Sequence, residues 1–141
     1  MKVLFIDHEP DFLDILVKKM KTLHMDAVGV SDGDQALGFM ERDSFDVVVL
    51  EDKMPGEKSG IELLKEIKRR WPLLEVIILT GHAMLESARM GMETGAFDYI
   101  IKPADMDELF YKIKDAHQRK SLQEAKIKRI DNIVKGRKQK I

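Results

Sequence analysis

Four apolar runs of this chain end in polar side chains of complementary chemistry. Asp7 follows Val3-Leu4-Phe5-Ile6, Glu51 follows residues 45–50, Thr80 follows residues 74–79 and Lys102 follows residues 97–101. Two carboxylates suit a hard divalent cation, and a hydroxyl with an ammonium suits phosphoryl oxygens. Singly, each is only the polar end of a strand. Delivered together to one edge, they compose a site.

Delivering them together requires a particular architecture. The runs are short and rich in β-branched residues, as in buried strands, and Ala27-Val28-Gly29-Val30 adds one more. Between them the spacing is helical. Phe12, Ile15, Leu16, Met20 and Leu23 recur at i, i+3, i+4 after Pro10, a good first-turn residue. Ala36, Leu37 and Met40 mark a second helix. Ser59-Gly60-Ile61-Glu62 has the form of a capping box, with Ile61, Leu64 and Ile67 turned inward and Trp71-Pro72 as the stop. A fourth helix is expected over residues 84–94, ended by Gly95. A fifth opens at Asp105-Met106-Asp107-Glu108, with Leu109, Ile113 and Ala116 as its apolar face. Strands alternating with helices form a parallel sheet covered on both faces, because right-handed crossovers place the helices there. Five such units predict an α/β, flavodoxin-like, doubly wound sheet of strand order 2-1-3-4-5, with ligands beyond the carboxyl ends of its strands.

With 141 residues, the chain is expected to be one domain with an appendage. It has no cysteine, which removes thiolate metal ligands, thiol nucleophiles and disulfides. The amino terminus lacks the long apolar stretch of a signal peptide, and no run approaches the roughly 20 apolar residues of a membrane span. A soluble, cytoplasmic protein is expected. Residues 1–116 hold 15 Lys/Arg against 23 Asp/Glu, whereas residues 117–141 hold 9 against 2. The tail therefore has its own electrostatic character.

Four stretches, in order, resemble the receiver domains of two-component response regulators: residues 3–10 (Val-Leu-Phe-Ile-Asp-His-Glu-Pro), 46–56 (Asp-Val-Val-Val-Leu-Glu-Asp-Lys-Met-Pro-Gly), 76–83 (Val-Ile-Ile-Leu-Thr-Gly-His-Ala) and 95–103 (Gly-Ala-Phe-Asp-Tyr-Ile-Ile-Lys-Pro). The resemblance covers residues 1–118 and implies a phosphoryl switch. In that family a histidine kinase passes a phosphoryl group to an aspartate after the third strand, beside magnesium held by acidic residues. It implies that Glu51 stands at the phosphoacceptor position, that Asp7, Glu51 and the Lys53 backbone carbonyl face the metal, and that Thr80, Tyr99 and Lys102 form the phosphoryl contacts and switch.

Two positions depart from the pattern. Glu51 replaces the usual aspartate, and His8 replaces the second acidic metal ligand. A glutamate carboxylate lies about 1.3–1.5 Å farther out, and a displacement near 1 Å already costs about a hundredfold when in-line geometry matters. His8, read as mostly neutral, is a poor magnesium ligand. Phosphorylation is thus expected to be impaired, or mimicked by the Glu51 charge near Thr80 and Lys102, and magnesium binding weakened. A solvated Glu51 in a domain that no longer switches stays open, as does Asp52 as acceptor, although strand alternation points Asp52 away from Asp7. The loop over residues 54–60 also looks one residue longer than the family's.

No enzymatic activity is expected: the glycine-free acidic loop after Asp7 does not suit flavin phosphate, and Asp7 lacks the second aspartate of phosphohydrolases. Output is expected through protein contacts with a histidine kinase or other signalling protein. A homodimer is possible through the face of helix 4, strand 5 and helix 5, with Met84, Met90, Met92, Tyr99 and Met106, or through the tail. Residues 119–141 read as a basic amphipathic helical extension, with Leu122, Ile127, Ile130, Ile133 and Val134 on one broad side. Without aromatics to stack on bases it makes a poor nucleic-acid reader, and membrane binding is likewise not expected.

Overall fold

A computed structural model describes residues 1–54, 58–81 and 85–139. It alternates strands and helices throughout: β1 (Lys2–Ile6), α1 (Pro10–Thr22), β2 (Asp26–Val30), α2 (Gly33–Arg42), β3 (Val47–Glu51), α3 (Gly60–Arg70), β4 (Glu75–Thr80), α4 (Leu85–Thr94), β5 (Asp98–Ile101) and α5 (Met106–Gln139). All strands pair in parallel in the order β2-β1-β3-β4-β5, the doubly wound arrangement expected from the sequence.

Strand alternation divides the core into two layers. Val3, Phe5, Val47, Val49, Ile77, Leu79 and Ile100 pack with α1 and α5, through Leu13, Leu16, Met20, Leu109, Ile113 and Ala116. Leu4, Ile6, Val48, Leu50, Val76 and Ile78 pack on the opposite face with α2 and α3, through Ala36, Leu37, Met40, Leu63, Leu64 and Ile67. β3 is therefore apolar at every position before Glu51, since both of its faces are covered.

Local chemistry sets the helix ends. The Ser59 hydroxyl accepts from the Glu62 N–H (3.2 Å), and the Asp105 carboxylate accepts from the N–H groups of Asp107 (2.9 Å) and Glu108 (3.2 Å). Gly95 closes α4 at φ 111°, a left-handed conformation that favours glycine. Two helix faces differ from the periodic reading. In α1 Leu13 is buried and Ile15 is 62% exposed, because the face against the sheet runs through Leu13, Leu16 and Met20. In α3 Leu63 rather than Ile61 is buried.

Gly60 ties α3 to the functional edge. Its N–H donates to the Asp52 carbonyl (3.0 Å), and a Cβ there would lie 2.2 Å from the Glu51 carbonyl oxygen. Only glycine permits that approach.

Candidate functional site

Glu51 and Thr80 are the last residues of β3 and β4, and Asp7 and Lys102 directly follow β1 and β5. Their parity differs, however. Glu51 follows Leu50 and so continues the α1/α5 side of the sheet, whereas Thr80 follows Leu79 and continues the α2/α3 side. The four residues grouped by sequence therefore fall into two neighbouring clusters.

The first cluster contains Asp7, His8, Glu9, Glu51 and Lys102. The Lys102 ammonium donates to Asp7 Oδ2 at 2.8 Å and lies 3.5 Å from Glu51 Oε1 and 3.9 Å from Glu9 Oε1. It also stands 4.4 Å over the Phe12 ring of α1. Glu51, only 4% exposed, has its other oxygen clasped twice by His8: the backbone N–H donates at 3.0 Å and ring Nδ1 lies at 2.5 Å. Asp7, 2% exposed, also accepts from the Glu9 N–H at 2.9 Å.

These contacts favour positive charge on both bases. The hydrogen bond to Glu51 raises the His8 pKa above its usual 6.5, and the charges of Glu51, Asp7 and Glu9 add to it against the cost of burial. His8, expected from the sequence to be mostly neutral, is thereby drawn toward its protonated form. For Lys102, burial pulls the pKa down, but the hydrogen bond to Asp7 and the charges of Asp7, Glu51 and Glu9 raise it overall.

The second cluster is a buried pair. The Thr80 hydroxyl donates to Asp52 Oδ2 at 2.9 Å, and Asp52 is 5% exposed. Asp52 Oδ1 is buried without a hydrogen-bond partner among the described residues. The expectation that Asp52 turns away from Asp7 agrees with this placement. Of the two groups near which the Glu51 charge was expected, Lys102 lies 3.5 Å from Glu51 Oε1, and the Thr80 hydroxyl donates to Asp52.

Other expected residues are distributed more widely. Tyr99 on β5 is half-buried and packs against the α2/α3 core layer. Lys53 is exposed just past β3. Met90 and Met92 are exposed at 44% and 43%, whereas Met106 packs against the α1/α5 layer. Met84 and His82, and Pro55 to Glu57 of the loop expected to be longer, lie outside the described residues. Sequence reasoning gave no site role to Glu9 and placed Phe12 only on the apolar face of α1; the signal was an acid two residues and an aromatic five residues after Asp7.

Ligand atoms of Asp7, His8, Glu9 and Glu51 all lie within 4.8 Å of one another. Three carboxylates fit a hard divalent cation in kind, and imidazole does not. A parallel five-stranded sheet with an acidic cluster, a lysine and a threonine at its carboxyl edge defines a receiver-type signalling fold.

The comparisons agree. Residues 3–114 match the family described as the response regulator receiver domain, and the chain belongs to it. It is 34% identical over 115 residues to a putative NtrX-like response regulator of Rickettsia bellii, covering 81% of this chain and 24% of that protein. It is also 34% identical over 106 residues to the DNA-binding transcriptional regulator NtrC of Salmonella typhimurium, covering 75% of this chain and 22% of that protein. A response regulator receiver domain from Clostridium thermocellum superposes with a TM-score of 0.81 at 37% identity, over 86% of this chain and 98% of that one. The chain thus spans about a quarter of the curated relatives' length. Receiver domains are signalling domains rather than typical enzymes, and they bind Mg2+ in an acidic pocket, the kind of cluster that Asp7, Glu9 and Glu51 form. Among the described residues no helix is long and apolar enough to cross a membrane.

Proposed function

We propose that residues 1–118 are a cytoplasmic receiver in two-component phosphorelay signalling in which Glu51 occupies the phosphoacceptor position and no longer accepts a phosphoryl group efficiently. The carrying observation is the 2.5 Å contact of His8 Nδ1 with Glu51 Oε2. An attacking carboxylate oxygen needs a free lone pair in line with phosphorus, and this one is held by an imidazole and a backbone amide. The same contact sets an imidazole, drawn toward protonation by Glu51, where the family has its second acidic metal ligand, so magnesium held by Asp7, Glu51 and the Lys53 carbonyl would be weakened.

Carboxylates instead occupy both contacts that the resemblance assigns to a phosphoryl group. Asp52 holds the Thr80 hydroxyl, and Asp7 with Glu51 holds the Lys102 ammonium. This supports a switch biased toward an active-like state, with Tyr99 as its moving aromatic. A carboxylate carries about one charge against nearly two for a phosphoryl group, so the bias is partial. Output runs through protein contacts with a histidine kinase or another signalling protein.

A second reading rests on the orphaned Asp52 oxygen. A buried carboxylate beside the Thr80 hydroxyl, with one oxygen unpartnered, is a second candidate acceptor. Incubation with acetyl phosphate and magnesium, followed by intact mass, tests both. The wild type is expected to gain no phosphoryl mass, and the His8→Asp/Glu51→Asp double variant is expected to gain one. A labile gain in the wild type refutes the proposal, and its loss in Asp52→Asn assigns the acceptor to the second reading.

A further inference from the structure

We propose that Asp7, His8, Glu9 and Glu51 bind a borderline first-row divalent cation of the zinc type, in place of the magnesium that the receiver family takes at this edge. The site is the one described above, but the inference does not depend on whether Glu51 accepts a phosphoryl group. It follows from the donor set. Magnesium keeps a near-octahedral shell of oxygens and several of its waters, and an imidazole has little place there. Zinc accepts imidazole nitrogen and carboxylate oxygen together.

The His8 ring lies among three carboxylates rather than beside one. Its Nδ1 is 2.5 Å from Glu51 Oε2 and 4.0 Å from Asp7 Oδ1, and its Nε2 is 4.0 Å from Glu9 Oε1. One ligand atom from each of the four residues lies within 4.8 Å of the others. Zinc bonds of about 2.0–2.2 Å set its ligands at most about 4.4 Å apart, so small side-chain shifts bring the four together. Among the described residues no other group of three such side chains converges.

Charge and support favour the same occupant. Asp7, Glu9 and Glu51 carry three negative charges and Lys102 returns one, so a divalent cation with neutral imidazole as its fourth ligand balances the cluster. The ion takes the place of the proton between His8 and Glu51, which passes to solvent. The inner ligands are already oriented: the Glu9 N–H holds Asp7 Oδ1 at 2.9 Å, and the His8 N–H holds Glu51 Oε2 at 3.0 Å. Asp7 and Glu51 are buried, whereas the His8 and Glu9 side chains are 40% and 56% exposed. Two fixed ligands inside and two movable ones at the mouth give the ion an entry path.

Calorimetric titration of the full chain with zinc chloride, in about 5 mM magnesium chloride, tests this. One zinc per chain is expected, with a dissociation constant of about 10 µM or lower, and native mass spectrometry is expected to count the same single ion. His8→Asp restores an all-oxygen set at a surface position; it is expected to weaken zinc binding at least about tenfold and to strengthen magnesium binding. His117→Gln removes the imidazole 3.6 Å from Asp46 and is expected to leave zinc binding unchanged. No zinc bound, displacement of zinc by an equal concentration of magnesium, zinc affinity unchanged in His8→Asp, or zinc lost in His117→Gln overturns the proposal. The titration contains no phosphodonor, and acetyl phosphate labelling reads the acceptor, so either proposal can fail without the other.

Discussion

Replacing Glu51 by glutamine keeps the shape of the site and removes its charge, which exposes the worth of the His8 clasp. A hydrogen bond between charged partners contributes about 1.5–3 kcal/mol when buried. The His8 side chain is 40% exposed, and solvent screening brings the expected figure to about 1 kcal/mol. Because Glu51 raises the His8 pKa in the folded protein, the native state binds the proton more tightly than the unfolded chain. That contribution is complete below the ordinary value of 6.5 and is lost as pH rises through the higher folded value. The neutral amide of the variant cannot provide it. The stability gap between wild type and Glu51→Gln is therefore largest at about pH 6 and shrinks by about 1 kcal/mol by about pH 9. Lys102, with its pKa raised from 10.5, titrates above this window and leaves the trend alone. Urea unfolding in the presence of a chelator, repeated across the range, measures the gap. A gap that stays constant or widens toward alkaline pH would refute the role given to His8.

Two further substitutions probe the framework around it. Thr80→Val removes the donor to buried Asp52 and is expected to cost about 1–3 kcal/mol in denaturant unfolding, most of it recovered when Asp52→Leu removes the stranded carboxylate as well. Gly60→Ala would gain up to about 1 kcal/mol from helix propensity alone. The Glu51 carbonyl 2.2 Å from the new Cβ is expected instead to make it destabilising by about 2 kcal/mol or more in a thermal melt.

Much of this molecule was legible from the sequence because its signals are local. Short apolar runs between amphipathic segments dictate a parallel sheet covered on both faces, and Asp105, Ser59 and Gly95 mark helix ends through their own side-chain or backbone chemistry. Those rules also bring Asp7, Glu51, Thr80 and Lys102 to one edge, since each ends or directly follows a strand. Where only one face of a helix is buried, periodicity alone chose wrongly: Ile15 fits the pattern as well as Leu13, and the position of the sheet decides between them.

Which of the edge residues touch each other was settled by the tertiary structure. Adjacent strand residues point to opposite faces, so whether Thr80 meets Glu51 or Asp52 depends on the register of β3 against β4, a pairing between segments far apart in the chain. The charge of His8 likewise depends on a carboxylate 43 residues away. The sequence by itself determined the sheet and the edge at which the chemistry gathers, because helix and strand periods are properties of neighbouring residues, and four motif stretches carried the resemblance to the family. The fold alone decided that Glu51 pairs with His8 and Lys102 while Asp52 takes Thr80, because distance and burial arise only when separate strands align.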